Sequence, residues 1–205
     1  MNQNHTKLLS EILRNIANTP HIRPGEVPDI NLYMDQVTTF MDDHLGDTRR
    51  HQDDKILTKT MINNYTKKKL LPHPTKKRYT KEHLLLLIFI YYFKDFLPLT
   101  DIRTILEPIT ERFFDPKDSI SIDEIYAEAY ELSEEWISNI CHDIMESWHT
   151  ASNSFEDCAD EDRETLQFFS FICMLSIDIY LKKQVIEQMI DRLTENDAGE
   201  TPPKS

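Results

Sequence analysis

Glycine occurs only three times in this chain of 205 residues, at positions 25, 46 and 199, and that scarcity limits the fold more than any other feature. Tight hairpins and loops that wrap phosphates draw on glycine because their backbone enters the left-handed region. A chain this poor in it is not a hairpin-rich β protein, and the sequence predicts an all-α fold. Its length suits one domain or two small ones, with 40% hydrophobic residues available for a core. Apolar positions do recur at helical spacing. Leu8, Leu9, Ile12, Leu13 and Ile16 form one series, and Tyr33, Val37, Phe40, Met41 and Leu45 form a second. Pro20, Pro24, Gly25 and Pro28 mark a linker between them, and Gly46 marks the end of the second helix.

The next boundaries follow from caps and prolines. Thr58 caps a helix that turns Met61, Ile62 and Tyr65 inward and ends near Leu70–Leu71, before Pro72. Pro72 and Pro74 make the stretch to Tyr79 a loop or short ribbon. Thr80 caps the very apolar helix Lys81–Phe93. Thr100 caps a short helix, Asp101–Leu106, with Pro108 beyond it. Ser121 and Glu124 have capping-box spacing and open a helix towards His149, and Asp160 caps a last one to about Leu193. The expected organisation is an N-terminal helix and linker over 1–27, a domain over 28–110, a C-terminal helical region over 111–195 and a disordered tail over 196–205.

Net charge is −13, yet its distribution matters more than its sum. Between Lys55 and His83, nine basic residues (Lys55, Lys59, Lys67, Lys68, Lys69, Lys76, Lys77, Arg78 and Lys81) face only Glu82, a net +8 that leaves −21 for the remainder. Such an island binds phosphates locally while the acidic remainder limits indiscriminate binding. With Met61, Ile62 and Tyr65 inward, Lys59, Thr60, Asn63, Asn64 and Lys67 are left outward. Asparagine pairs bidentately with adenine in the major groove, so Lys59, Asn63 and Asn64 are expected at bases. Lys67, Lys68, Lys76, Lys77, Arg78 and Tyr79 are expected at phosphates.

Here a resemblance enters. The run MINNYTKKKLLPHPTKKRYTKEHLLLLIFI resembles the winged helix of the MerR superfamily of transcription regulators. Ile62, Tyr65, Leu70, Leu71, Arg78, Tyr79 and Thr80 match that family's pattern in order, and Leu99–Leu106 is similar to its helix after the wing. Asn63 stands where those proteins usually carry arginine, Lys69 replaces a glycine, and the wing lacks its glycine. The connection from Gly46 to Leu57 is longer than a standard turn. More closely, about residues 28–125 are similar to the bacterial family called domain of unknown function 1836, which by itself implies no activity. The MerR likeness implies a winged helix-turn-helix domain followed by a C-terminal helical bundle or dimerisation region, in a regulator of transcription that binds double-stranded DNA. The polar start and the three widely spaced cysteines lead to the expectation of a cytoplasmic protein.

The stretch Leu166–Leu181 is apolar on nearly all faces, which predicts burial on all sides. It is either the central helix of a monomeric bundle or a dimer interface. Two DNA-reading helices must span half-sites roughly 34 Å apart, which favours a homodimer. Ser170, Ser176 and Asp178 interrupt it as a membrane span, Asp178 pairs with Lys182, and the polar start Met1–Lys7 does not read as a signal peptide. Cys141, Cys158 and Cys173 form no disulfide framework. His142, Glu146 and His149 share a helix face, but no second Glu-x-x-His segment completes a metal site, so neither metal nor cofactor is expected. No nucleophile elbow, phosphate loop, HExxH or dinucleotide fingerprint is present, and the chain is expected not to be an enzyme. The rival reading is a protein-interaction adaptor that reuses the fold without DNA. A small-molecule effector acting on the C-terminal region is a further expected kind of partner.

Overall fold

The computed structural model describes residues 3–18, 21–115 and 120–199. Among them are seven α-helices: α1 (Gln3–Ala17), α2 (Met34–Leu45), α3 (Lys59–Lys67), α4 (Lys81–Phe93), α5 (Leu99–Phe113), α6 (Ile122–Ser152) and α7 (Asp160–Gly199). Two short strands, β1 (Leu32–Tyr33) and β2 (Arg78–Tyr79), pair antiparallel with Leu32 opposite Tyr79 and Tyr33 opposite Arg78. The protein is mostly helical. It divides into two compact units, one of Met1–Thr19 with Leu132–Ile186 and one of Pro20–Glu131 with Glu187–Ser205.

The second, central unit is organised around α4. Five consecutive residues, Leu84 to Ile88, and then Ile90 are fully buried, so this helix is apolar all round and packed on every side. Val37, Met41 and Leu45 present one buried stripe from α2, and Ile62, Tyr65 and Thr66 present another from α3. Ile102 and Leu106 do the same from α5. The Tyr126 hydroxyl donates to the Ile22 carbonyl at 2.5 Å, closing this unit between residues 104 positions apart. Lys81, in the first turn of α4, reaches Asp123 of α6 at 2.7 Å.

Several caps lie where the side chains place them. The Thr58 hydroxyl accepts from the Met61 amide at 3.2 Å, and the Ser121–Glu124 pair forms a full capping box, with the Ser121 amide donating to Glu124 at 2.8 Å and the Glu124 amide donating back at 3.2 Å. Helix α5 differs from the expectation. It begins at Leu99 after Pro98, not at a Thr100 cap, and it continues through Pro108 to Phe113. A proline inside a helix removes one hydrogen bond, here to the Thr104 carbonyl, and the burial of Ile102 and Leu106 on the same element holds α5 in place despite that loss.

In the first unit, Leu9 and Leu13 of α1 pack with Trp148 and Ala151 of α6 and Phe171 of α7. Trp148 meets Phe171 edge to face at 5.0 Å and donates its indole N–H to the Thr6 hydroxyl at 3.1 Å. Gln167 is buried with its amide donating to the Ser152 and Ser154 carbonyls, which ties the start of α7 to the end of α6. The segment Leu166–Leu181 is not buried all round as its composition suggests. Phe171 is buried, whereas Phe168, Phe169, Ile172, Ile177, Ile179, Tyr180 and Leu181 are exposed, because among the described residues only α1 and α6 join α7 in this core and they cover one side of it. By length and composition alone, Asp162–Glu195 suffices to cross a membrane, the serines and Asp178 notwithstanding. Helix α7 starts at Asp160 itself and runs to Gly199, so the tail expected from 196 is helical to that point, and 200–205 lie outside the described residues.

Candidate nucleic-acid interface

The basic island is displayed by α3 and by the turn that precedes β2. Helix α3 buries Ile62, Tyr65 and Thr66 and leaves Met61 half-buried. Its other face carries Lys59, Thr60, Asn63 and Lys67 exposed and Asn64 half-buried. Thr60, Met61, Asn63, Asn64 and Lys67 line a shallow concavity of about 400 Å³. The expected inward face is present at Ile62 and Tyr65, whereas Met61, also expected inward, is half-buried and borders the outward concavity.

The helix ends in a hydrogen-bonded stop. The Leu70 amide donates to the Tyr65 carbonyl at 2.9 Å and the Lys69 amide to the Thr66 carbonyl at 3.1 Å. That pairing is a Schellman motif, and it needs a left-handed residue at Lys69, whose φ is 61°. Leu70 and Tyr65, the two residues joined by the first of these bonds, are both buried. Glycine is the usual occupant of such a position.

The turn before β2 repeats the pattern. The Arg78 amide donates to the Thr75 carbonyl at 3.0 Å, and Lys76 and Lys77 have φ of 53° and 62°. Positive φ at both central residues defines a primed hairpin turn, normally built from asparagine and glycine. Holding non-glycine side chains there costs about 1 kcal/mol each. Three of the four left-handed residues among the described ones are thus lysines of the basic island, and Gly25 and Gly46 are not left-handed. Lys68, Lys69, Lys76 and Lys77 are all exposed.

Two contacts bring the helix and the turn to one place. The Lys59 ammonium pairs with Asp35. The Arg78 guanidinium donates to the Tyr33 hydroxyl at 3.0 Å and lies 4.8 Å from the centre of the Tyr33 ring. Tyr33 and Asp35 flank the start of α2, so the beginning of α3 and the base of the turn converge there. Tyr33, half exposed, is a site residue that the pattern of basic residues does not reveal. The signal that finds it is the β1–β2 register.

One expectation is corrected. Tyr79 is 3% exposed and packs edge to face on His83 at 5.5 Å. It therefore belongs to the core and is closed to a phosphate, and burial raises its phenol above the usual range. Lys81 is held by Asp123, which removes it from the open positive surface. Arg103, paired with Glu107 one turn on at 3.8 Å, lines a concavity of about 420 Å³ with Lys68, Leu70, Pro98, Leu99 and Thr100.

Elsewhere, His142, Glu146 and His149 are exposed on α6. Among the described residues no three His, Cys, Asp or Glu side chains are grouped so as to hold a metal. Residues 22–129 match the family model described as Domain of unknown function (DUF1836). That is more than half of the chain, which therefore belongs to this family. The match begins and ends close to Ile22 and Tyr126, the two residues joined by the hydrogen bond that closes the central unit. Comparison with curated proteins and with solved structures gives no match.

Proposed function

We propose that this member of the DUF1836 family binds double-stranded DNA and regulates transcription. In this reading, α2 and α3 form a helix-turn-helix, α3 enters the major groove, and the Thr75–Arg78 turn is a wing against the backbone or the minor groove. Asn63 and Asn64 supply base contacts, whereas Lys59, held to Asp35, serves chiefly to orient α3. Lys67, Lys68, Lys76, Lys77 and Arg78 meet phosphates.

One observation carries the reading: Lys76 and Lys77 occupy a hairpin tip where asparagine and glycine are cheaper. The two lysines cost stability and put two ammonium groups at the most protruding part of the turn. A long anionic ligand recovers that cost, because each neutralised phosphate releases counterions.

The test follows from the same geometry. Lys76→Asn/Lys77→Gly satisfies the turn better and removes both charges. The variant should gain about 1 kcal/mol or more in stability while binding a labelled random-sequence duplex more weakly by fluorescence anisotropy. Its dependence of log affinity on log salt should be shallower by about 1.8. Wild-type protein that fails to bind duplex at low salt, or a variant with an unchanged salt slope, refutes the proposal. The basic island would then belong to an adaptor that docks on an acidic protein.

A further inference from the structure

We propose that two copies of this chain pair antiparallel through residues 165–183 of α7, an arrangement that does not depend on whether the chain binds DNA. The core-facing side of this stretch is used as far as Leu175: Gln167 and Phe171 are buried, and Met174 and Leu175 pack on the Trp148 core, whereas Leu181 further along is 54% exposed. The opposite side carries Thr165, Phe169, Ile172, Ser176, Ile179 and Lys183, spaced alternately by four and three residues. That is the heptad period of a two-helix seam. Phe169, Ile172 and Ile179 are 63%, 44% and 66% exposed, so the apolar part of the seam is open in a single copy.

The occupant is written in the order of the residues. When a second α7 is laid antiparallel about a two-fold axis, Thr165 falls opposite the other copy's Lys183, where its hydroxyl is an acceptor for the ammonium. Phe169 falls opposite Ile179, and Ile172 opposite Ser176. One register thus sets polar against polar at both ends and Phe169 against Ile179 inside them, with Ile172 against the small Ser176 at the centre. Each match occurs twice, as an isologous interface requires. Charge selects the direction. Asp162 and Glu164, the latter beside His5 of its own chain at 2.9 Å, lie at the start of the stretch, where Arg163 is turned onto the carbonyls of Phe155, Glu156 and Cys158. Lys182, paired with Asp178 of its own helix at 2.7 Å, and Lys183 lie at its end. An antiparallel pair therefore brings the lysines of each copy towards the acids of the other, whereas a parallel pair sets lysine beside lysine and acid beside acid. Ser176 supplies the single polar position within the apolar part of the seam, the kind of residue that fixes a register.

The area suffices. Phe168, Phe169, Ile172, Ile179 and Tyr180 are each about half exposed or more. At roughly 200 Å² for a large side chain, they offer roughly 500 Å² of apolar surface per copy. With the flanking polar groups this approaches the ~800 Å² per partner of a stable interface, and an open apolar patch of that size marks an interaction site.

Sedimentation velocity of the full chain at micromolar concentration should show a species of twice 24.3 kDa. Phe169→Asp/Ile179→Asp should sediment as a monomer with unchanged helical circular dichroism, since both positions face solvent in one copy. Thr165→Glu places a carboxylate opposite the partner copy's lysine and should tighten the dimer, whereas Thr165→Lys should weaken it. A parallel pair would respond to Thr165→Glu in the opposite sense, because glutamate would then face glutamate. In a background with Cys141, Cys158 and Cys173 replaced by serine, Phe169→Cys chains mixed with Ile179→Cys chains should cross-link on mild oxidation. Phe169→Cys chains alone should not. A monomeric wild type, a dimer that survives the aspartate pair, a dimer weakened by Thr165→Glu, or preferential cross-linking of Phe169→Cys to itself overturns the proposal. A monomer that floats with phosphatidylcholine vesicles overturns it in favour of a lipid surface.

Discussion

Lowering the pH from 7.5 to 5 should destabilise the central unit through one side chain, His83, at the first turn of α4. This imidazole is 3% exposed, between Tyr79 and the ring of Phe114 at 4.8 Å. Its Nδ1 accepts from the Thr80 amide at 3.1 Å, so the ring serves as the reciprocal half of a capping box in its neutral form. Burial lowers its pKa from 6.5 to about 4, against the smaller opposing effects of the Glu82 charge and the Pro72 backbone. Because the folded value is the lower one, the unfolded chain takes up more protons between the two. The stability His83 contributes is present above about pH 6.5 and is lost as pH falls towards 4. Between pH 7.5 and 5 the loss amounts to about 2 kcal/mol. His83→Gln keeps an acceptor for the Thr80 amide and removes the titration. Urea unfolding followed by far-UV circular dichroism at both pH values, with hydrogen exchange of the α4 amides to isolate this unit, should show the wild type losing about 2 kcal/mol more than the variant. Equal losses in the two proteins would refute the reasoning, since carboxylates titrate in both.

Two further outcomes test the local structure. Thr58→Ala removes the side-chain acceptor for the Met61 amide and should cost about 1 kcal/mol, read as faster exchange in the first turn of α3. Leu13→Ala opens a cavity beside Trp148. It should cost about 2–4 kcal/mol, with a red shift of tryptophan emission that Trp136, already exposed, does not supply.

Much of the helical order is legible because it rests on local chemistry. Thr58, Thr80 and the Ser121–Glu124 pair act within one turn, and the stripes Val37–Met41–Leu45 and Ile62–Tyr65 need only the helical period. The two-sided character of α3 is readable for the same reason. What is not legible depends on partners distant in sequence. Strands of two residues carry no periodicity, so neither the β1–β2 pairing nor its consequences for Tyr33 and Tyr79 is visible: Tyr33 goes outward beneath Arg78, and Tyr79 goes inward. Pro108 reads as a helix end, yet α5 passes through it because Ile102 and Leu106 are anchored in the core around α4. The apolar composition of Leu166–Leu181 cannot tell burial within one chain from a face left open, since both need the same residues. The left-handed lysines are hidden by the rule that assigns such positions to glycine.

Helix α1 has a consequence for the timing of synthesis. Its partners in the Trp148 core stand far along the chain, and the Thr6–Trp148 hydrogen bond joins residues 142 positions apart. At roughly 5–20 residues per second on the ribosome, on the order of ten to thirty seconds separate the appearance of α1 from that of Phe171. Throughout that interval Leu9 and Leu13 have no core to enter, while the residues of the family domain, 22–129, emerge as one uninterrupted stretch. Helix α1 is thus placed only after the family domain has emerged, and until then its apolar stripe stays open to chaperones.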